Sequence, residues 1–260
     1  MKADAPGRGT PVIEVEGLTA GYGDRVLLEN VSFTVHAGEV FGILGANGCG
    51  KSTLLRNLLG LQRPMAGTVR LLGVDITSAG EAELRDVRRR IGVLFQAGGL
   101  LNAMTVGENI ALPLSEHTSL SDSDIDRVIR EKLALVNLAQ ARNLLPAELS
   151  GGMKRRAALA RAMALDPPLL FFDEPSAGLD PLTSLELDLL IEKLNAETGA
   201  TMVVVTHERD SFFRIARRVI FLDPDARGII AEGDPLVLRE TSTDPRVSNF
   251  LNRRIFAPGG

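Results

Sequence analysis

Residues 45–52 read Gly-Ala-Asn-Gly-Cys-Gly-Lys-Ser, a stretch with unusual backbone freedom beside a single positive charge. Gly45, Gly48 and Gly50 let successive N–H groups turn toward one anion, with Ala46, Asn47 and Cys49 completing the loop. Leu54, Leu55, Leu58 and Leu59 then recur at helical spacing, so the loop opens a helix whose N-terminus adds partial positive charge. Lys51 can neutralise β- and γ-phosphate oxygens, and Ser52, with Thr53 beside it, can ligate magnesium. The pattern is G-x-x-x-x-G-K-[ST], and its chemistry is the holding of a nucleoside triphosphate.

A triphosphate cradle needs carboxylates opposite it, and "LLFFDEP" (169–175) supplies them. Four apolar residues form a buried strand, and Asp173 and Glu174 emerge at its C-terminal end, where open α/β sheets bind ligands. Adjacent strand residues point to opposite sides, so the two acids are expected to differ in role. Asp173 would hold magnesium through water, and Glu174 would orient and polarise an attacking water. His207 closes "TMVVVTH" in the same manner and is expected at the terminal phosphate, stabilising charge as it develops. Gln96 ends "RIGVLFQ", where its amide can reach magnesium or the water. Tyr22, the single tyrosine, offers a ring for an adenine base. His36 and His117 have no such context and read as surface or loop residues.

"LSGGM" (149–153) opens another helix, so Ser150, Gly151 and Gly152 form a second phosphate-binding end. One nucleotide needs one cradle. The second makes sense if it serves the nucleotide of another copy in a two-fold dimer. Asp180 in "SAGLD" lies close enough to Glu174 to communicate across that interface.

The elements that must position these groups alternate. Apolar, β-branched runs at 12–18, 31–35, 39–45, 68–72, 91–95, 169–172, 201–205 and 218–222 read as strands. Helical patterns fall after Lys51, over 81–90, through most of 97–150, over 157–164, and near 182–196 and 209–216. The fold class is therefore α/β, with a mainly parallel sheet covered on both faces and an antiparallel portion added beside it. The acidic, serine-rich 115–124 reads as an exposed connection, and 244–260 as a short helix and tail.

Bulk properties exclude several classes. A net charge of −4 leaves no footprint for nucleic-acid binding. The basic runs Arg88–Arg90 and Lys154–Arg156 read as solvated helix faces. One cysteine fits a reducing compartment, the first ten residues hold no signal-type apolar region, and no apolar run reaches bilayer length. The expectation is a protein soluble by itself that reaches a membrane only through a partner.

Taken in order, Tyr22, GANGCGKS, Gln96, LSGGM, LLFFDEP, SAGLD and His207 resemble the nucleotide-binding subunit of ABC (ATP-binding cassette) transporters. The resemblance covers residues 12–235. It implies a P-loop NTPase with a RecA-like core (12–96 and 165–240), an inserted α-helical subdomain (97–164), a flexible N-terminus (1–11) and a C-terminal helix or tail (241–260). It also implies ATP and Mg²⁺, a homodimer, and a transmembrane permease whose coupling helix enters a groove beside Gln96, with Leu100, Leu101 and Met104 as contacts. "LFQAGGLLNAMTVGENIALPL" and "PAELSGGMKRRAALARAMALDPPLLFFDEPSAGLDP" are further similar to the ATPase of Mla-type transporters. That family works with Mce-domain lipid-binding proteins and moves phospholipids between inner and outer membranes, which implies a place on the cytoplasmic face of the inner membrane. Met153 replaces a polar residue of the commoner LSGGQ; the phosphate contacts come from Ser150 and backbone N–H groups. A transporter ATPase for another solute is the alternative within the family. Non-transport members carry long coiled coils or two cassettes, and neither pattern is present. The segment 247–256 is a candidate arm across a neighbouring protomer.

Overall fold

Alternating β-branched and aromatic residues build two long strands, β1 (Pro11–Tyr22) and β2 (Arg25–His36), joined by a tight turn. In this computed structural model residues 9–252 are described. The hairpin outruns the apolar stretches at 12–18 and 31–35 because its pairing passes through a bulge. Gly17 takes a φ of +58°, register shifts between Val15 and Leu18, and the Gly17 N–H donates to Ser32 Oγ.

From there strands and helices alternate: β3 (Val40–Gly45), α1 (Lys51–Leu58), β4 (Ala66–Leu71), β5 (Val74–Asp75), α2 (Glu81–Arg89) and β6 (Ile91–Leu94). Three helices follow, α3 (Val106–His117), α4 (Asp122–Leu135) and α5 (Gly151–Ala162). The chain then forms β7 (Leu169–Asp173), α6 (Pro181–Thr198), β8 (Thr201–Val205), α7 (Arg209–Ile215), β9 (Arg218–Asp223) and β10 (Gly228–Gly233). It ends in α8 (Pro235–Thr241) and α9 (Pro245–Asn252). The antiparallel sheet has the order β2-β1-β4-β5, and the second sheet runs β10-β9-β3-β8-β7-β6. From β9 to β6 its strands are parallel, and β10 pairs antiparallel at the edge.

The parallel strands are apolar on both faces, and the two-residue period sorts their side chains. Phe41, Ile43, Leu169, Phe171, Val203 and Val205 face α1 and the antiparallel sheet. Leu170, Phe172, Met202 and Val204 face the helices α3–α6. Register brings the ends together: Ile43 pairs with Val205, and Asp173 pairs with Val205 from the other side. Three buried strands thus finish at one level, and the loops that follow them share one cleft.

On the C-terminal side, α9 packs on its own chain. Val247 and Leu251 are buried, Phe250 meets Phe221 edge-on at 4.8 Å, and Arg246 Nη1 donates to Asp223 at 2.7 Å. This corrects the expected arm for 247–252; its remainder, 253–256, lies outside the described residues. Helix α5 lies very close to β6, because a Cβ at Gly92 would stand 2.2 Å from the Ala162 carbonyl oxygen and 2.6 Å from Leu170 Cδ2. Gly92→Ala is therefore expected to cost roughly 1–3 kcal/mol. Urea unfolding checks it, with a lower midpoint at unchanged m-value.

Candidate functional site

The loop between β3 and α1 excludes side chains by geometry. Gly45 has a φ of +148°, and a Cβ there would lie 2.4 Å from the Leu222 carbonyl oxygen. Gly50 has a φ of +101°, and its Cβ would lie 2.8 Å from Leu28 Cδ2. Helix α1 starts at Lys51 with no side-chain cap and no acidic residue in its first turn, so its amides stay uncovered for an anion. Lys51 is buried, and its Nζ donates to the carbonyls of Gly45 at 2.7 Å and Ala46 at 3.1 Å. Asn47, Gly48, Gly50, Lys51, Ser52 and Thr53 line a cleft of about 340 Å³ together with Gln96, Asp173, Glu174 and His207. Cys49 departs from expectation. Its thiol packs into the core beneath the loop, and burial raises its pKa against the pull of Lys51.

The two acids also depart from the period-two reading. Strand β7 ends at Asp173, and Glu174 turns off it with a φ of +48°, a left-handed conformation that costs a non-glycine residue on the order of 1–2 kcal/mol. Its N–H donates to the Val205 carbonyl at 2.8 Å as the last rung of the β7–β8 pairing, and with the turn at Glu174 both carboxylates face one cleft instead of opposite sides. Burial and the Glu174 charge raise the Asp173 pKa, while Arg56 and Lys51 oppose the rise. Two crowded, half-buried acids are a setting that a divalent cation relieves. Among the described residues no group of three or more His, Cys, Asp or Glu assembles. A magnesium ion would accordingly take Ser52 and Asp173, completed by phosphate and water oxygens, as this ion prefers.

Glu174 is held from one side by His207, whose Nδ1 lies 2.8 Å from Oε1 and whose N–H donates to Oε2 at 3.3 Å. Tyr22, with a half-exposed ring, accepts at its hydroxyl from Arg56 Nη1 at 2.7 Å; it stands outside the residues lining the cleft. Ser150 is also outside it. Its Oγ accepts the Met153 N–H at 3.3 Å as the N-cap of α5. Gly151 sits in ordinary contact with Leu179, whereas a Cβ at Gly152 would lie 2.4 Å from Thr183 Cγ2, so Gly152 also serves the packing of α5 on α6. Asp180 caps α6, accepting from the amides of Leu182 and Thr183 at 3.1 Å each. The Thr183 hydroxyl and then these amides hold its carboxyl below the usual range. His36 ends β2, with Nδ1 3.8 Å from Glu39, and His117 ends α3.

The ABC transporter family matches residues 28–177. The chain belongs to that family. It is 42% identical over 253 residues to the "Probable ribonucleotide transport ATP-binding protein mkl" of Mycobacterium tuberculosis, covering 95% of this chain and 68% of that protein. It is also 42% identical over 231 residues to the "Methionine import ATP-binding protein MetN" of Brucella abortus, covering 89% of this chain and 62% of that one. Among solved structures, the ATP-binding cassette MJ0796, dimeric and bound to ADP and Pi in a post-hydrolysis state, superposes with a TM-score of 0.77 at 32% identity. That match covers 85% of this chain and 98% of MJ0796. The cbiO1 protein from Clostridium perfringens, part of the transporter complex cbiONQ, gives 0.80 at 27% identity, covering 94% and 96%.

Within this ABC cassette, sequence reasoning passed over Leu27, which walls the cleft, and Arg56, which links Tyr22 to the Asp173 field. It also read Arg155 as solvated, and that is corrected. The guanidinium is partly buried and bonded to backbone carbonyls. No local pattern separates such a residue from its neighbours Lys154 and Arg156. The cradle assignment has a direct test. Lys51→Ala should lose MgATP binding in a fluorescent-nucleotide titration while unfolding cooperatively; tight MgATP binding by that variant would contradict it.

Proposed function

We propose that the chain is the ATP-hydrolysing subunit of a transporter. Two copies close around two MgATP, each nucleotide between the 45–52 loop of one copy and the 149–153 segment of the other, and so drive a transmembrane permease. The observation that carries this is the Glu174 carboxylate, held by His207 and aimed into the cleft that the 45–52 loop opens. The separation of Ser150 from that cleft supports the composite site, as does the dimeric state of MJ0796.

The roles follow from the contacts. The uncovered amides of α1 and Lys51 bind phosphate oxygens. Glu174 accepts a hydrogen bond from water and takes its proton as the oxygen attacks the terminal phosphorus and the bond from that phosphorus to the β,γ-bridging oxygen breaks, releasing ADP and phosphate. Bound Mg²⁺, held by Ser52 and Asp173, supplies charge neutralisation across the phosphates. With a carboxylate 2.8 Å away, His207 Nδ1 carries a hydrogen, and its Nε2 donates to a phosphate oxygen only when the ring is doubly protonated. In this reading the amide of Gln96 fixes the water or reaches Mg²⁺, Tyr22 stacks on adenine, and Asp180 meets the other copy.

No described helix is long and apolar enough to cross a membrane, so in this reading the membrane is reached through the permease. Beside Gln96 lies a groove of about 270 Å³ walled by Phe95, Gly98, Gly99, Arg88 and Arg161, suited to a permease helix. None of the three residues expected there lines it: Leu101 is exposed, Leu100 packs partly against the core and Met104 is half-buried. For the cargo we favour phospholipid moved between inner and outer membranes with an Mce-domain protein, at the cytoplasmic face of the inner membrane. Its support is the resemblance of 94–114 and 146–181 to Mla-type ATPases. The names of the mkl and MetN relatives favour a second reading, a polar solute.

Glu174→Gln should bind MgATP yet hydrolyse it about a hundredfold or more slower, and it should accumulate as a nucleotide-bridged dimer with the permease. Near-normal turnover would remove Glu174 from its role. Mixing Lys51→Ala with Ser150→Ala protomers should restore turnover in mixed dimers, each of which keeps one intact pocket. Complete silence from assembled mixed dimers, where a dimer of wild type with a doubly substituted copy shows that one intact pocket can fire singly, would refute the composite site. Affinity purification from detergent-solubilised membranes decides the cargo: co-purified phospholipid and an Mce-domain protein support the first reading, and a solute-binding protein the second.

A further inference from the structure

We propose that Arg155 is a positioning residue that holds Gln96 and the turn after Glu174 in one frame and fastens both to the helix opened by Ser150. The proposal rests on the reading that Glu174 drives ATP hydrolysis. Arg155 lies in the second turn of α5. Its Nη1 donates to the carbonyls of Phe95, at 3.3 Å, and Gln96, and its Nη2 donates to the carbonyl of Ala177 at 3.1 Å. These carbonyls belong to two separate loops, and each loop carries a group of the cleft. Gln96 lines the cleft while its own carbonyl is bound. The Ala177 N–H returns to the Glu174 carbonyl at 3.2 Å, closing the turn that follows the left-handed residue.

The chemistry of the contact is selective. Among the described residues Arg155 makes no ion pair with a carboxylate, and burial alone holds its pKa below the usual arginine value. A charge moved out of water without an acid partner is retained only where dipoles replace the lost hydration. Here three backbone oxygens do so. The rigid guanidinium fork can face two loops at fixed angles, whereas a lysine ammonium is a single point on a flexible stem. Six residues further along the same helix, Arg161 donates to the Gly99 carbonyl, so α5 grips the 95–99 loop at both ends. A shift of α5 relative to the sheet is thereby transmitted to Gln96 and to the Glu174 turn together.

The experiment compares full-length wild type, Arg155→Met and Arg155→Lys, assembled with the permease where turnover requires it. It measures MgATP affinity, kcat, KM and amide hydrogen exchange. Arg155→Met should keep MgATP affinity within about twofold of wild type while kcat falls about tenfold or more. Exchange at 95–99 and at 175–180 should quicken together, with β3 and β8 unchanged. Arg155→Lys should fall between the two in kcat and quicken both segments less. If the methionine variant does not fold, the lysine variant alone decides by the paired exchange. A kcat within about twofold of wild type, quickened exchange in one segment only, or equal losses of binding and turnover would overturn the positioning role. A wild-type protein that binds MgATP but never hydrolyses it would instead overturn the reading beneath it.

Discussion

The hydrogen bond from the Glu174 N–H to the Val205 carbonyl, at 2.8 Å, is the last rung of the β7–β8 ladder, and the chain turns off the strand directly after it. Continued as a strand, Glu174 would point away from Asp173, as alternation dictates. Instead the residue takes a φ of +48° and its carboxylate lies in the cleft. Such strain persists only where the surroundings over-determine it. Here they do: the Ala177 amide holds the Glu174 carbonyl, and two nitrogens of His207 hold its carboxylate. The bond in turn depends on register, because Asp173 pairs with Val205 only while β7 and β8 keep their alignment. A one-residue slip would invert every side chain of β7, moving Phe171 and Phe172 to the wrong cores. Apolar packing is therefore what fixes the polar geometry.

The cleft keeps its opposing charges apart. Lys51 is satisfied by the carbonyls of Gly45 and Ala46, not by Asp173 or Glu174. An ion pair there would neutralise the cradle before an anion arrived. Neutral oxygens stabilise the ammonium without cancelling its charge, which stays available at close range to phosphate. The acids on the other wall are left crowded, with the Asp173 pKa pushed up by burial and by Glu174. A bound nucleotide with its cation resolves both sides at once, because it brings negative oxygens to the loop and positive charge to the acids.

Much of this was legible in the residues where backbone or chemistry admits few alternatives. The glycines at 45 and 50 occupy positions that no side chain fits, and the ends of β3, β7 and β8 follow from apolar runs too long-sided to face water. Asp180 before Pro181 carries the local signal of a helix cap, simpler than the interface role proposed for it. What escaped depends on contacts distant in sequence. The turn at Glu174 is held by contacts with His207, beyond β8, and the inward thiol of Cys49 by the way the loop lies on the core. The burial of Arg155 comes from carbonyls of residues 95, 96 and 177. Strand β10 escaped for a compositional reason, since "GIIAEG" is bounded by glycine and holds only two β-branched residues.

The two walls of the site are joined to the molecule by different kinds of contact, and that difference bears on which of them can move. Gly45, Asp173 and His207 end or follow strands buried on both faces, where any displacement breaks a ladder and exposes a core. The Ser150 end of α5 is held otherwise, by guanidinium bonds to loop carbonyls and by the approach of Gly152 to Thr183. Hydrogen bonds to loops tolerate rotation of a helix about its axis far better than a strand tolerates a slip in register. Helix α5 is tied to the 95–99 loop through both Arg155 and Arg161, and it is packed at Gly152 against Thr183 and at Ala162 over Gly92. The sheet thus fixes the cleft groups by pairing and burial, and in the proposed dimer it is through these loop bonds that a nucleotide at Ser150 would bear on them.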